Sequence, residues 1–134
     1  MSNFLDARSS VNSNIVGFPQ TPLSPSPEIF GIIGLQTQNL ANPIVLLQVS
    51  VGVLGEEGDV FTIDIVRGPT FSQANVIHSV DLEVTKTGFN QVNSITAADI
   101  LAPAAPETIY TSYISGVSTT IRNGPEALTG MASK

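Results

Sequence analysis

Few residues of this chain have side chains that could do chemistry. His78 is the only histidine and there is no cysteine, so a metal site built on imidazole or thiolate has too few ligands. Glu56, Glu57 and Asp59 lie together in the segment GEEGD, but the alternating carboxylate spacing of a calcium-binding loop is absent. We expect these carboxylates to form a solvated turn, and we predict no metal ion or other cofactor.

Serines and threonines are plentiful, but none lies in a sequence context that activates a nucleophile. The G-x-S-x-G elbow, the S-x-x-K pair, the phosphate-binding loop and the dinucleotide fingerprint are all absent from the sequence. Tyr110 and Tyr113 are candidates for a weak carbohydrate contact, although tyrosines on a Thr-rich strand are more often packing residues. The chain has no tryptophan on which a sugar could stack. We therefore predict a protein that is not an enzyme.

Charge and hydropathy exclude two classes of partner. The chain has a net charge of -6, with 12% charged residues against a usual share of about 25%, so we expect no binding to nucleic acid. The apolar runs IFGIIGL and IVLL are too short to span a bilayer, which predicts no membrane insertion. Asp6 and Arg8 interrupt the N-terminal stretch where a secretory signal needs an apolar run. We expect synthesis in the cytosol without a signal peptide.

Alternating apolar residues from Ile44 onward predict a half-buried strand. The glycines and carboxylates of residues 55–59 should end this strand and turn the chain into a hairpin. The return strand VFTIDIV then ends before Pro69, which lacks a ladder donor. The inward positions that we predict are Val45, Leu47, Val49, Val51 and Val53 on the first strand and Phe61, Ile63 and Ile65 on the second.

The second half of the chain continues the strand pattern. NVIHSVDLEV alternates, and His78 shares the parity of its apolar positions, so we expect His78 on the buried face as a core or subunit-contact residue. QVNSITAADIL is weaker and is typical of a strand that crosses between two sheets, although SITAADILAPAA could contain a helical turn. ETIYTSYISGVSTTIR is a long strand, and GPEALTGMASK a short closing strand. About seven strands with regular turns predict a single antiparallel β-sandwich or jelly roll over residues 29–134.

Residues 1–28 differ from the rest of the chain. Pro19, Pro22 and Pro25 recur at every third residue, which is the period of a polyproline II helix. At about 3.1 Å per residue, the stretch from Pro19 to Glu28 would reach roughly 30 Å. We interpret residues 1–28 as an extended, semi-rigid connector arm.

Apolar side chains precede the prolines of this arm. A disordered tail normally lacks such residues, because they associate without building a core. We therefore predict that the arm links subunits by docking its apolar tip into a neighbour. The alternative is that the arm folds back along its own domain. The apolar residues are Phe4, Leu5, Ile15, Val16 and Phe18.

The domain should begin with the segment EIFGIIGLQ. Its apolar residues lie on both faces of one strand, so we expect that strand to be covered on two sides, by its own sandwich or by a partner subunit. These residues are Ile29, Phe30, Ile32 and Ile33.

The final segment, IRNGPEALTGMASK, closes a polar, cysteine-free sandwich. In this style and strand order, residues 35–133 resemble small proteins of the outer layers of bacterial endospores, including exosporium proteins and the C1q/TNF-like jelly rolls of spore filaments. Gly-X-Y repeats and cysteines are absent, so neither a collagen stalk nor a disulfide-linked appendage is expected. The resemblance implies homotrimers that stack through the N-terminal connector into a thin fibre, with a spore-surface anchor protein as a further partner. It also implies synthesis in the mother cell and a final location on the spore surface.

Two classes of function follow from the sequence. The first is a non-enzymatic structural subunit that trimerises through a jelly-roll domain and polymerises through its arm into a fibre or layer. The alternative is a binding module, either a phage virion decoration or fibre protein or a lectin-like domain whose loops hold a glycan.

Overall fold

Period-two alternation of inward apolar and outward polar residues gives the chain its strands. A computed structural model describes residues 3–134. A single short 3-10 helix, Gln73–Asn75, is found among these residues. The strands are β1 (Phe4–Ser13), β2 (Thr21–Pro22), β3 (Glu28–Gln36), β4 (Ile44–Leu54), β5 (Val60–Arg67), β6 (Val76–Glu83), β7 (Gln91–Asp99), β8 (Glu107–Gly116) and β9 (Ile121–Ser133).

Strands from the first part of the chain pair antiparallel with strands from the last part, in a nested order. The nested antiparallel pairs are β1 with β9, β3 with β8, β4 with β7 and β5 with β6. Pairing of β9 with β4 and of β8 with β5 joins these pairs into two sheets. The first sheet has the order β1-β9-β4-β7, with β2 attached to β9, and the second has the order β3-β8-β5-β6. This connectivity is a jelly roll, and it confirms the predicted all-β antiparallel sandwich.

The core lies between the two sheets. The five inward valine and leucine positions predicted for β4 are all buried, as are Phe61, Ile63 and Ile65 of β5. Gly58 has a φ of 91° in the turn between these two strands, a conformation that favours glycine. The chain does turn here, but the predicted hairpin is wrong. β4 and β5 belong to different sheets and do not pair with each other, so residues 55–59 connect the two sheets.

Four predictions for the later strands are wrong. ETIYTSYISGVSTTIR is not one long strand, because a turn at residues 117–120 separates β8 from β9. β7 does not cross between the sheets, because it pairs with β4 along its whole length as the edge of the first sheet. Residues 94–105 contain no helical turn. The closing strand is not short, because β9 continues through Pro125 for 13 residues. The ladder with β4 is irregular between Val51 and Val53, and a bulge of this kind accommodates a proline without a backbone donor.

The N-terminal region departs most from expectation. Residues 4–13 are not an extended connector; they form β1, the first strand of the jelly roll, and pair with β9 of the same chain. Two of the β1 side chains also hold the neighbouring sheet. The Gln36 amide donates to Asp6 Oδ2 at 2.8 Å, and the Ile32 amide donates to Ser10 Oγ at 3.2 Å. The sandwich therefore begins at β1 and not at residue 29.

The proline-rich stretch lies against the same domain. Gln20 has a φ of 62°, which breaks the uniform backbone of a polyproline helix. Thr21 and Pro22 then pair with β9, and Leu23 is buried in the core at 2% exposure. The prediction of a 30 Å spacer is therefore wrong for this segment. The buried Leu23 and the two residue pairs between β2 and β9 fix it to the sandwich.

Candidate functional site

The outer face of the first sheet carries no charged side chain on its four long strands. The alternation that buries one side of each strand leaves the other side facing solvent. The outward positions are all small, apolar, hydroxyl or amide residues: Ala7, Ser9 and Val11 of β1; Ala127, Thr129, Met131 and Ser133 of β9; Ile44, Leu46, Gln48 and Ser50 of β4; and Val92, Ser94, Thr96 and Ala98 of β7.

Strand register arranges these residues in rows across the sheet. An apolar row runs through Ala7, Met131, Leu46 and Ala98. A row of hydroxyl and amide groups follows, formed by Ser9, Thr129, Gln48 and Thr96. Ser9 Oγ and Thr129 Oγ1 lie 3.3 Å apart, within hydrogen-bond distance. We call this surface the uncharged face.

The large side chains of the uncharged face are well exposed. Leu46 is 46% exposed, Met131 42% and Val92 49%. A shallow depression of about 260 Å³ lies between the first two rows, with Leu46 and Met131 on one side and Thr96 and Thr129 on the other. Interface cores are depleted in charged residues, and the uncharged face has this property.

The outer face of the second sheet is different. Carboxylates occupy its outward positions at Asp64, Asp81, Glu83 and Glu107. The segment after β5 also covers part of this outer face. The Phe71 ring packs edge-on against the Tyr113 ring, with 5.2 Å between the ring centroids. Tyr113 is therefore a packing residue, 5% exposed. The two faces of the sandwich thus differ in charge and in accessibility.

A second exposed apolar surface lies at one end of the sandwich. Ile15 is 66% exposed, Val16 57% and Phe18 50%, and all three belong to the loop after β1. Phe89, in the loop before β7, is 61% exposed. We call these four residues the apolar tip.

The two loops of the apolar tip are held by the same dipeptide of β9, Asn123–Gly124. The Gly17 amide donates to the Asn123 carbonyl at 2.8 Å. Asn90 Nδ2 donates to the Gly124 carbonyl at 3.0 Å, and Asn123 Nδ2 donates to Asn90 Oδ1 at 2.9 Å. Gly124 has a φ of 72°, and a Cβ there would collide with the Ile15 and Phe18 carbonyls. Contacts with the main chain and the side-chain amide of this dipeptide therefore fix these loops, while the apolar side chains of the tip stay in solvent.

The predicted subunit-linking residues separate into two groups. Ile15, Val16 and Phe18 are exposed together at the tip, and Phe4 is 66% exposed at the opposite end of β1. Leu5, by contrast, packs against the core.

The three prolines of the predicted arm do not form a common surface. Pro22 pairs with Ile121, and Pro19 is half-buried beside the tip. Pro25 lies in a bend where the Ser26 amide donates to Ser24 Oγ at 3.2 Å.

The residues predicted at the start of the domain divide between the two sides of β3. Phe30 and Ile33 are buried in the core, whereas Ile29 and Ile32 are 47% and 50% exposed. His78, on the edge strand β6, is half-buried and pairs with Ile65. The chain itself thus covers the inner side of β3, and the outer side, with Ile29 and Ile32, stays exposed in the single chain.

Sequence reasoning missed two buried ionic clusters. In the first, Asp99 accepts hydrogen bonds from Arg67 Nε and Nη2, each at 2.7 Å, from the Tyr110 hydroxyl at 2.7 Å and from the Leu101 amide at 3.1 Å. Burial raises the pKa of Asp99, but these hydrogen bonds outweigh it and hold the pKa below its usual value. Burial and the adjacent carboxylate raise the pKa of Tyr110.

The second cluster is built on β9, a strand of the first sheet. Arg122 donates from Nε and Nη2 to both carboxylate oxygens of Glu126 at 2.8 Å, and Asn12 Nδ2 donates to Glu126 Oε1 at 2.7 Å. The bond to Glu126 raises the pKa of Arg122. Arg67 and Asp99 lie 32 residues apart on different sheets, so no local sequence signal could have found the first cluster. In the second cluster, Arg122 and Glu126 are four residues apart on β9, and only the contact with Asn12 depends on long-range pairing.

The strand order defines this chain as a jelly-roll protein. No known protein family matches the sequence, and neither does any curated protein. Among solved structures, a chain of the IBDV viral particle matches with a TM-score of 0.58 at 11% identity, over 97% of this chain and 31% of that chain. This chain therefore corresponds to 31% of the length of that viral chain. At this identity the likeness is one of fold.

Two further solved structures are more distant. The Eiger TNF of S. frugiperda has a TM-score of 0.49 at 12% identity, over 98% of this chain and 94% of that chain. The vertex protein of PRD1 has a TM-score of 0.45 at 12% identity, over 97% of this chain and 98% of that chain.

Proposed function

We propose that the protein is a non-enzymatic structural subunit that assembles with copies of itself, as a trimer joined through the jelly roll, into a fibre or layer on a bacterial cell or spore surface. The uncharged face carries this proposal. A solvent-exposed sheet usually bears charged residues, which keep a monomer soluble. Four strands without a single outward charge are what a surface buried against another subunit requires.

The size of the uncharged face is consistent with one part of an oligomer contact. Four strands about 4.8 Å apart and four rows about 6.8 Å apart give roughly 500 Å². A standard interface buries about 800 Å² on each partner. The face therefore needs further contacts beside it to hold a stable oligomer.

The apolar tip supplies a second, separate contact for polymerisation. It lies at one end of the sandwich, whereas the uncharged face lies on its side. Contacts of two kinds on one subunit build extended assemblies when they do not close on themselves. We assign the linkage between oligomers to Ile15, Val16 and Phe18, as the sequence predicted, with Phe89 as an added member.

The buried ionic clusters support a structural role. Asp99 accepts four hydrogen bonds from the protein, so its carboxylate has no acceptor site left for a substrate. Among residues 3–134 there is no group of His, Asp or Glu side chains that could hold a metal ion. No helix in this part of the chain is long and apolar enough to cross a bilayer.

A virion structural protein is the second candidate. The likeness in fold to the IBDV viral-particle chain favours it. Both candidates assemble through the same surfaces, and they differ in location. Immunogold labelling of sporulating cells would favour the spore assignment if it decorates the spore exterior, and a virion component if it decorates particles released from lysed cells.

Leu46→Lys tests the self-assembly that both candidates share. It places a charge in the centre of the uncharged face without touching the core. The concentration at which the oligomer dissociates should therefore rise at least tenfold, while the thermal midpoint changes little. Val60→Lys is the matched control, because Val60 is similarly exposed at 48% and lies on the second sheet opposite Glu83.

Light scattering coupled to gel filtration measures both variants. The proposal requires that Leu46→Lys reduces the mass and that Val60→Lys keeps it. If both variants keep the wild-type oligomer, the uncharged face is not the contact.

A further inference from the structure

The edges of the two sheets are protected to very different degrees. An exposed edge strand pairs readily with another chain unless charges, bulges or caps block it. The first sheet ends in β1 and β7, and the second ends in β3 and β6. Three of these four edges carry such protection.

Protection of the three edges is specific. β1 carries Asp6 and Arg8 and has register irregularities near both ends. β3 is capped by the Asp6 and Ser10 side chains of β1. β6 is bulged at Ile77 and carries Asp81 and Glu83.

β7 has none of these devices. Its register with β4 is unbroken from Gln91 to Asp99, and no charged residue or proline occurs from 87 to 98. Side-chain hydrogen bonds anchor only its ends. Thr85 and Glu83 bond to the Gln91 side chain, and the Leu101 amide bonds to Asp99. Within residues 3–134, no side chain bonds to the main chain of residues 92–98.

The open span of β7 is complementary to itself. A two-fold axis at its central residue, Ile95, would place Val92 opposite Ala98 and Ser94 opposite Thr96 on the outward side. Apolar groups would then face apolar groups and hydroxyls would face hydroxyls, which are favourable cross-strand pairs. No charge would meet a like charge.

We propose that β7 pairs antiparallel with β7 of a second copy of this chain, centred on Ile95, so that two first sheets become one continuous sheet with eight long strands. The inference rests on the proposed self-assembly and specifies one of its contacts. The two uncharged faces would become coplanar and together present about 1,000 Å². That area exceeds a standard half-interface, which each face alone does not reach. Two-fold pairing of this kind would also join trimers into a layer.

The absence of cysteine makes the register directly testable. In the proposed pair, residues 94 and 96 of opposite chains have Cα atoms about 4.5–5.5 Å apart, which permits a disulfide. Residue 94 lies about 8 Å from residue 94 of the other chain, which is too far. The variants Ser94→Cys and Thr96→Cys are therefore oxidised separately and as an equimolar mixture, and disulfide dimers are counted on non-reducing gels.

Dimers are expected only in the mixture, in up to about half of the chains, because random pairing makes half of the pairs mixed. Ser50→Cys mixed with Thr96→Cys is the control, since Ser50 lies in the same row as Ser94 but on β4. Equal cross-linking in every sample would overturn the proposed register.

A failure of the edge contact is distinguishable from a failure of self-assembly. No cross-linking in samples that light scattering shows to be oligomeric would refute the β7 contact and leave the proposed function standing. Monomers without cross-links would refute both.

Discussion

Replacing Asp99 by Asn tests whether the buried cluster of Arg67, Asp99 and Tyr110 stabilises the fold. The Asp99 side chain is 4% exposed and both of its oxygens accept two hydrogen bonds. Asn keeps the shape but removes the charge and turns one acceptor oxygen into a donor. That donor would face an N–H or O–H group that also donates.

The expected cost is large for one atom. Breaking a buried ion pair by removing one partner costs about 3–5 kcal/mol. Because Arg67 keeps 26% of its side chain exposed, water can solvate part of its charge, and we expect about 3 kcal/mol. For 134 residues, an unfolding entropy of about 2.1 cal/mol/K per residue makes this a fall of roughly 10 °C in the thermal midpoint.

The effect should depend on pH in a defined direction. The pKa of Asp99 is lower in the folded chain than its usual value, so the ion pair contributes stability above the unfolded pKa of about 3.9. That contribution is lost as the pH falls through the folded pKa. The difference between wild type and Asp99→Asn should therefore be full at pH 7 and shrink below about pH 4.

Thermal unfolding followed by circular dichroism measures both effects. Asp81→Asn is the matched control, because Asp81 is exposed and accepts one hydrogen bond, from Thr62 Oγ1. We expect this control to stay within about 0.5 kcal/mol of wild type. An Asp99→Asn midpoint equal to that of the control at pH 7, or a deficit unchanged at pH 2.5, would refute the assigned role.

Two further predictions concern the N-terminal region. Deleting residues 2–13 removes β1, leaves β9 without a partner on one edge and should abolish cooperative thermal unfolding; a truncated chain that melts within a few degrees of wild type would show that β1 is dispensable. Phe18→Asp should leave the thermal midpoint within about 2 °C, because Phe18 is half-exposed, but should break the linkage between oligomers seen by electron microscopy. The wild-type linkage should survive 1 M salt, since an apolar contact is not screened; a variant that loses several degrees and still forms fibres would place Phe18 in its own domain's packing.

The sequence predicts strands well where apolar and polar residues alternate strongly. β4 and β5 have valine, leucine or isoleucine at nearly every second position, so their inward faces could be identified from pattern alone. β1 could not be found in this way, because its outward Ala7 and Ser9 alternate with Asp6 and Arg8. Its strand conformation comes from pairing with β9, which lies more than 100 residues away in the chain.

The uncharged face shows the same limit. Its residues are ordinary in each strand, and their common property emerges only when the register aligns Leu46 with Met131 and Ala98. The apolar character of Ile15, Val16 and Phe18 was evident from the sequence. Their fixed place at the end of the sandwich was not, because the Gly17 hydrogen bond to Asn123 and the close approach of the loop to Gly124 determine it.

Self-assembly through exposed surfaces is the central claim, and sedimentation equilibrium of the wild-type chain tests it most directly. A monomer has a mass of 14.0 kDa, so the measured mass reports the number of subunits without any label. We predict a trimer or larger assembly at micromolar concentration, with the mass rising further as the chain is concentrated. A mass of one subunit that stays constant up to about 100 μM, a concentration at which even weak specific contacts form, would contradict the account.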